Sequence, residues 1–289
     1  MTRREWLTRA AARLAAADCE DAAFDARCLL EDCGGVGRGG AIDDTPLPET
    51  AVARLEQAVT ERAAGRPLQY ILGEWDFLTL TLSVGEGVLI PRPDTEVLCE
   101  TAAAELRGRQ CPRVLDLCAG SGCVGLGIAS LCPGAAVTAV ELSEAALVYL
   151  RQNIARYPQW DVQAVQADVL TAAGEFPGGY DAILSNPPYI PTADLPGLQR
   201  EVQREPRMAL DGAADGLRFY RAIAEQWIPK LNPGGLCAVE VGYEQAAAVT
   251  ALFSAAGLAR VTAVPDAAGI LRVVYGIAAK SENKCSISS

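Results

Sequence analysis

Between residues 96 and 279, this chain of 289 residues alternates apolar strand-like segments with helix-like ones, and the alternation restricts the folds open to it. Parallel strands cannot be joined by a tight turn, so each one needs a crossover, most often a helix that covers a face of the sheet. The helix-like segment at 143–157 stands between two such strands. We therefore predict an α/β fold with a parallel, Rossmann-like sheet whose strands are residues 113–117, 136–141, 162–167, 181–185 and 236–241.

Two further β-rich segments follow, at residues 259–264 and 271–277. The connection between them is too short to hold a crossover helix. We expect them to pair antiparallel with their neighbours and to close the sheet at one side. The last predicted helix before them covers residues 216–231.

The N-terminal part of the chain has helical periodicity. Trp6, Ala10 and Leu14 recur at helical spacing behind a possible capping box formed by Thr2 and Glu5. We predict a division into a small helical domain at residues 1–80, a hairpin or linker at 81–95, an α/β domain at 96–279 and a disordered polar tail at 280–289.

The chain contains no histidine, which excludes Ser-His-Asp triads, Cys-His dyads and most zinc sites. Its ten cysteines are scattered through predicted helices and strands, and no two of them form a Cys-x-x-Cys pair. We interpret them as buried, reduced thiols that pack as small apolar side chains, and we expect no metal.

The formal net charge is −11, and the isoelectric point is about 4.7. This negative net charge opposes non-specific binding to nucleic acid phosphates. It favours a small molecule or a protein with a basic surface as substrate. No segment approaches the roughly 18 apolar residues that a membrane span needs, and the N-terminus does not resemble a signal peptide. We expect a cytoplasmic protein without membrane contact; its oligomeric state is open, with a monomer expected.

A glycine-rich turn follows the predicted strand at 113–117 and leads into a helix. Glycines permit a tight turn and let a ligand approach the backbone closely. The same residues match Gly-x-Gly-x-x-Gly at 120–125, which alone is weak evidence for a dinucleotide site. The candidate cofactor-binding residues here are Asp116, Cys118, Ala119, Gly120, Ser121 and Gly122.

Acidic residues at the ends of successive strands predict a nucleoside cofactor, and one of them favours S-adenosylmethionine over a nicotinamide dinucleotide. Asp116 could attract a cationic ammonium group, whereas it would repel a pyrophosphate. Glu141, which ends the next strand, could accept hydrogen bonds from ribose hydroxyls of either cofactor. Asp168 could accept from an adenine amine while Val169 packs on the base, although a helix cap is the alternative interpretation of Asp168. We predict S-adenosylmethionine as the cofactor.

The tetrapeptide Asn186-Pro187-Pro188-Tyr189 follows the strand at 181–185, at the sheet edge where α/β proteins bind ligands. An amide nitrogen is a poor nucleophile because its lone pair is delocalised. The Asn186 side-chain oxygen and the Pro187 carbonyl could accept its two N–H bonds and direct the lone pair at a methyl group. No base or metal is then needed, since positioning supplies the catalysis.

We therefore predict methyl transfer to a planar amide or amine nitrogen. Tyr189 would offer a ring for stacking, and Pro188 would complete the substrate site. Asn186 would also contact the cofactor, and the predicted catalytic residues are Asn186, Pro187 and Tyr189. A Pro-Pro turn that merely ends a strand is the alternative interpretation.

Further motifs surround these two sites. Residues 67–73 read Pro-Leu-Gln-Tyr-Ile-Leu-Gly, and residues 88–96 read Val-Leu-Ile-Pro-Arg-Pro-Asp-Thr-Glu. Others are Glu205-Pro206, residues 215–220, residues 231–235 and Glu240-Val241-Gly242 with Gln245. With these motifs the chain resembles the release factor glutamine N5-methyltransferases (the HemK/PrmC family) from about residue 5 to 278. That family methylates the glutamine of the Gly-Gly-Gln motif in peptide chain release factors.

The resemblance implies a class I methyltransferase sheet, S-adenosylmethionine as cofactor and release factors as protein partners. It assigns cofactor contacts to residues 118–122, Glu141 and the pair Asp168-Val169, and it assigns the substrate glutamine to residues 186–189. It also implies that the N-terminal domain helps to dock the release factor. Two departures are Cys118, where glycine is common, and the less polar stretch at 269–272.

Two segments have open interpretations. The Pro-Arg-Pro stretch is either a stiff linker or a wall in which Arg92, Thr95 or Glu96 lines the mouth of the pocket. The long connection after Tyr189, which contains Arg204 and Glu205, is either a lid or a surface loop.

Several functions remain open from the sequence. A glutamine methyltransferase of a ribosomal protein would have the same catalytic residues. An N6-adenine methyltransferase of DNA or RNA would need a basic groove, which the charge opposes. A nicotinamide-dependent oxidoreductase would leave residues 186–189 unexplained, and a non-catalytic nucleoside-binding module would tolerate loss of Asn186.

Overall fold

Four helices and a two-stranded hairpin form the first part of the molecule, and the computed structural model describes residues 1–280. The capping box is formed: Thr2 Oγ1 accepts from the Glu5 backbone N–H, and Glu5 Oε2 accepts from that of Thr2. Trp6 and Leu14 are buried against the next two helices. The elements are α1 (Arg3–Ala15), α2 (Ala22–Asp32), α3 (Glu49–Ala63), α4 (Leu68–Leu72), β1 (Glu74–Phe77) and β2 (Leu80–Ser83).

The hairpin lies earlier than the predicted residues 81–95. Pro67 precedes the short helix α4, and Gly73 ends it with a φ of +79°, so the chain is already extended at Glu74. The turn is made at Leu78, whose φ is +53°. Residues 84–95 contain a turn at Glu86 and Gly87 and end in a single 3-10 turn, Pro93–Thr95. The domain limits at residues 80 and 95 remain predictions.

A seven-stranded sheet occupies the rest of the chain, in the order β5-β4-β3-β6-β7-β9-β8. Strands β3 to β7 pair parallel, whereas β9 pairs antiparallel with both β7 and β8. The predicted α/β sheet and its antiparallel edge are therefore confirmed. The elements are α5 (Glu96–Glu105), β3 (Arg113–Leu117), α6 (Cys123–Leu131), β4 (Ala136–Glu141), α7 (Glu144–Arg156), β5 (Asp161–Gln166), β6 (Tyr180–Ser185), α8 (Arg218–Ala222), β7 (Leu231–Glu240), α9 (Ala246–Ala255), β8 (Leu258–Pro265) and β9 (Leu271–Ala278).

Successive residues of the inner strands pack alternately into two hydrophobic cores on opposite faces of the sheet. Val114 and Leu184 pack with helices α5, α6 and α7, while Leu115 and Ile183 pack with α8, α9 and Trp227. Helix α8 continues through one π-helical turn, Ile223–Trp227, and a 3-10 turn, Ile228–Lys230. The sheet is thus covered on both faces, and the loops at its strand ends are left to form a site.

A buried cation ties the helical part to the long connection after β6. Arg62 Nε donates to Asp25 at 2.6 Å, and Arg62 Nη1 donates to Glu201 at 2.8 Å. Both Arg62 and Asp25 are almost fully buried, so removing either partner would leave an uncompensated charge. This cluster fixes helix α3 relative to the loop that borders the sheet edge.

No helix described between residues 1 and 280 is long and apolar enough to cross a membrane. Of the predicted disordered tail, residues 281–289 lie outside the described residues.

Asn153 of helix α7 is fully buried and joins the hairpin to the glycine loop. Its Oδ1 accepts from the Ser83 N–H at 2.7 Å, and its Nδ2 donates to the carbonyls of Ser83 and Ser121 at 3.0 and 2.9 Å. The Asn153→Ala substitution would leave one buried and two part-buried backbone groups unpaired. We expect it to lower the free energy of unfolding by about 2–4 kcal/mol, measured by urea denaturation. The neighbouring exposed Gln152→Ala should change it by less than about 0.5 kcal/mol. Equal effects of the two substitutions would contradict the prediction.

Candidate active site

A cavity of about 540 Å³ opens at the carboxyl ends of strands β3, β4, β5 and β6. It is lined by the glycine loop, by residues 87–92 and by parts of the connection after β6. A ligand at this edge meets loops from four strands at once, as is usual in open α/β sheets. The predicted site residues that line it are Cys118, Ala119, Gly120, Ser121, Glu141, Asp168, Val169, Asn186 and Pro188.

The glycine loop turns sharply because three of its residues have positive φ. They are Cys118 at +60°, Gly120 at +56° and Gly122 at +84°. A Cβ on Gly122 would stand 2.6 Å from Leu150 Cδ1, and the φ of +84° would strain any residue with a side chain. Cys118 takes the left-handed conformation without being glycine, at a cost of roughly 1–2 kcal/mol. Gly122 does not line the cavity, and its role is to turn the chain into helix α6.

Glu141 holds the loop in place. One carboxylate oxygen accepts from the Gly120 N–H at 2.8 Å, and the other accepts from the Ser143 N–H at 2.7 Å. Ionised carboxylates form strong hydrogen bonds with backbone donors. Glu141 is 9% exposed and borders the cavity, so each oxygen keeps a lone pair for a ligand hydroxyl.

Asp116 lies behind the loop rather than in the cavity. Its Oδ2 accepts from the Gly125 N–H at 2.8 Å at the start of helix α6, and burial raises its pKa from 3.8 to about 7. Within residues 1–280, its Oδ1 and Ser121 Oγ are the two buried side-chain atoms without a hydrogen-bond partner. Direct contact between Asp116 and a cofactor remains a prediction. Ser121 does line the cavity, and its unpaired hydroxyl suits a polar group of a ligand.

The pair Asp168-Val169 forms the side of the cavity beyond strand β5. Asp168 Oδ1 accepts from the Leu170 N–H at 2.8 Å, so the carboxylate fixes its own turn. The Val169 carbonyl accepts from Trp227 Nε1 at 2.8 Å, which pins the valine against the core. A rigid apolar side chain beside a carboxylate is a suitable seat for a flat base with an exocyclic amine.

Asn186 reaches the cavity, and its side chain is oriented from behind. Its Nδ2 donates to Thr95 Oγ1 at 3.0 Å, and the Thr95 hydroxyl contacts Glu240 Oε2 at 2.5 Å. Thr95 and Arg92 border the cavity, as one interpretation of the Pro-Arg-Pro segment predicted. Glu96 does not border it, because its carboxylate accepts from the Leu78 N–H. Glu240 belongs to one of the motifs noted in the sequence, but no site role and no contact with Thr95 were predicted for it.

Pro187 and Tyr189 do not line the cavity. Pro187 is buried, and the Tyr189 hydroxyl lies 3.4 Å from Glu240 Oε1 while its carbonyl accepts from Gln245 Nε2 at 2.9 Å. The tyrosine ring also approaches Gly242, where a Cβ would be 2.9 Å from the ring. The hydroxyl needs a buried partner, and this draws the side chain toward Glu240. Its predicted stacking role is untested.

The long connection after Tyr189 closes the outer side of the cavity. Glu205 is 5% exposed; it accepts from the Ile90 N–H at 3.0 Å and forms an ion pair with Arg92. Two of the lining segments are thereby joined at the rim of the cavity. The lid role remains a prediction, and the cavity residues in this connection were not identified from the sequence: Thr192, Met208, Ala209, Asp211 and Ala213.

Two family models match this chain, one described as the PrmC N-terminal domain over residues 5–73 and one as the methyltransferase small domain over residues 93–200. The release factor glutamine methyltransferase of Geobacter sulfurreducens is 41% identical over 266 residues, 91% of this chain and 92% of the relative. That of Moorella thermoacetica is 39% identical over 277 residues, 93% and 96% of the two chains. The chain belongs to the release factor glutamine methyltransferase family.

Solved structures of methyltransferases are similar to this member of the family. A release-factor-specific protein-(glutamine-N5) methyltransferase from Alicyclobacillus acidocaldarius is 36% identical, with a TM-score of 0.42 over 66% of this chain and 94% of that one. A methyltransferase from Pyrococcus furiosus is 19% identical, with a TM-score of 0.53 over 79% and 98% of the two chains, which shows the shared fold. The cofactor of this family is S-adenosylmethionine. The carboxylate of Glu141, the Ser121 hydroxyl and the apolar Val169 are compatible with its ribose, amino acid and adenine parts.

The role of Glu141 predicts the effect of Glu141→Gln. An amide has one acceptor oxygen, so one backbone N–H would face an NH₂ group and the loop would loosen. We expect the dissociation constant for S-adenosylhomocysteine, measured by calorimetry, to rise about 10- to 100-fold. The exposed Glu144→Gln on helix α7 is the matched control. An affinity within twofold of the wild type would show that Glu141 is not needed.

Burial of Asp116 predicts a pH dependence of stability. Its pKa is higher in the folded than in the unfolded chain, so its stabilising contribution is complete below pH 4 and is lost as the pH rises towards about 7. Asp116→Asn removes this loss. The free energy of unfolding of the variant relative to the wild type should rise between pH 5 and 7 by up to about 1.4 kcal/mol per pH unit. Parallel pH profiles, as expected for the exposed Asp161→Asn, would contradict this.

Proposed function

We propose that this chain transfers a methyl group from S-adenosylmethionine to the side-chain amide nitrogen (N5) of the glutamine in the Gly-Gly-Gln motif of peptide chain release factors. One observation carries the proposal at the site: Asn186 borders the cavity with its Nδ2 bound to Thr95, so its Oδ1 is available to accept from a substrate amide. The relatives named above supply the substrate class.

The residues of the chain supply positioning and polar contacts. S-adenosylmethionine, when bound, would supply a methyl group on a sulfonium, and its thioether is a good leaving group without further activation. Glu141 would accept from ribose hydroxyls, and Val169 would pack on the base. Asn186 would accept one N–H of the substrate amide, and the Pro187 carbonyl remains the proposed acceptor of the second.

A general base is not required before transfer. Holding both N–H bonds against fixed acceptors favours a pyramidal nitrogen and orients its lone pair, so the contribution is geometric and electrostatic. The methylated nitrogen then loses its extra proton to water. This chemistry suits a chain without histidine. The cytoplasmic location and the monomeric state remain predictions.

The substrate is tested by incubating the protein with S-adenosylmethionine labelled in its methyl group. The parallel reactions contain a purified release factor, the same factor with its motif glutamine changed to alanine, a ribosomal protein mixture, or DNA. We expect label on the intact release factor alone. Label on a ribosomal protein or on DNA instead would show that the substrate is not a release factor. Failure to bind S-adenosylhomocysteine would refute methyl transfer from S-adenosylmethionine.

The Asn186→Ala variant tests the acceptor. We expect kcat to fall by about 10²–10³-fold, because an oriented polar contact to the reacting group is lost. The dissociation constant for S-adenosylhomocysteine should stay close to that of the wild type. Asn232→Ala, near the opposite edge of the sheet, is the matched control. An unchanged kcat would remove Asn186 from the catalytic site.

A further inference from the structure

Two buried polar side chains, Glu240 and Thr95, form a chain of hydrogen bonds that ends at the half-buried Asn186 on the cavity wall. Glu240 at the end of β7 is 2% exposed, and Thr95 at the start of α5 is fully buried. The Thr95 hydroxyl oxygen lies 2.5 Å from Glu240 Oε2 and 3.0 Å from Asn186 Nδ2. We call this set the Glu240–Thr95–Asn186 relay.

The direction of each hydrogen bond in the relay follows from the number of protons available. An ionised carboxylate only accepts, so the single hydroxyl proton of Thr95 must point at Glu240. The Thr95 oxygen can then only accept from Asn186. An amide presents acceptors on one side and donors on the other, so its NH₂ group must face Thr95 and its oxygen must face the cavity.

The opposite orientation of Asn186 would defeat the chemistry. A flipped amide would present N–H donors to the N–H donors of the substrate nitrogen, and the contact would change from attractive to repulsive. Nothing in the shape of an asparagine side chain favours one orientation, because its oxygen and nitrogen have nearly equal size. The choice has to come from its hydrogen-bond partner.

We infer that Thr95 and Glu240 are positioning residues that set the orientation of the Asn186 amide, so that its oxygen faces the substrate nitrogen. The inference rests on the proposed function for its catalytic consequence. The orientation itself is a property of the protein alone, and it can be measured without substrate.

Titratable and charged side chains from several elements surround Glu240. Asp94 lies on the turn before α5, Cys99 and Cys123 belong to α5 and α6, and Arg272 comes from β9, while Tyr189 and Tyr220 approach from the loop after β6 and from α8. Arg272 forms an ion pair with Asp94 at 3.2 Å. Burial raises the pKa of Glu240 from 4.5 to about 7, so the experiments below are set at pH 8, where the ionised carboxylate predominates.

A double-mutant cycle on kcat tests the inference. Thr95→Val removes the hydroxyl and keeps the shape, and we expect a loss of about 10²-fold in kcat with cofactor affinity retained. Thr95→Ser should restore most of the rate. In the Asn186→Ala background, Thr95→Val should change kcat by less than about twofold, because the residue that it orients is absent. The same loss in both backgrounds would overturn the inference.

Glu240→Gln provides a second, independent variant. Its NH₂ group can donate to Thr95 Oγ1, which frees the threonine proton for the Asn186 oxygen. We expect a lower kcat in the wild-type background and no further loss in Asn186→Ala. The half-buried Thr138→Val on β4 is the matched control for a threonine-to-valine change, and it should leave kcat unchanged.

A spectroscopic test separates this inference from the proposed function. The chain has four asparagines, so selective ¹⁵N-asparagine labelling gives few side-chain NH₂ signals, and Asn186→Asp identifies that of Asn186. We expect this signal to shift in Thr95→Val and in Glu240→Gln but to keep its position in Thr95→Ser. An unmoved signal in Thr95→Val would overturn the inference even if release factors are methylated. A shifted signal without methylation of any release factor would instead refute the proposed function.

Discussion

The register between β3 and β6 determines which residues can meet in the cavity. Leu117 pairs with Ser185, and the Ser185 hydroxyl donates to the Leu117 carbonyl at 2.6 Å. Because the two strands are parallel, the glycine loop and Asn186 start side by side at one edge of the sheet. A slip of one residue would turn the side chains of β6 to the wrong faces and move Asn186 away from the loop.

Most of the sheet could be predicted because inner parallel strands are continuous apolar runs. Strands β3 and β4 were predicted at their observed bounds, and β5 and β6 within one residue. Strand β7 starts at Leu231, five residues before its predicted start, because Asn232 to Gly235 have the composition of a turn. The hairpin lies before the predicted residues 81–95, because Gly73 ends helix α4 and the chain is already extended at Glu74.

Site residues could be predicted from the sequence only where a local motif places them, such as a residue that directly follows a strand. Glu141 and Asn186 follow strands directly and could be assigned from their positions. The partnership of Thr95 with Glu240 joins residues 145 positions apart, which no local pattern reveals. One signal was available, since Glu240 is a carboxylate in an otherwise apolar strand, and such residues are rarely buried unless they are paired.

The two hydrogen bonds that Glu141 accepts from Gly120 and Ser143 have an entropic consequence. They order the glycine loop as part of folding, independently of any ligand. A loop that is already ordered loses little conformational freedom on binding, so more of the contact energy appears as affinity. Substitutions distant from the cofactor that loosen this loop would therefore weaken binding without removing a single contact.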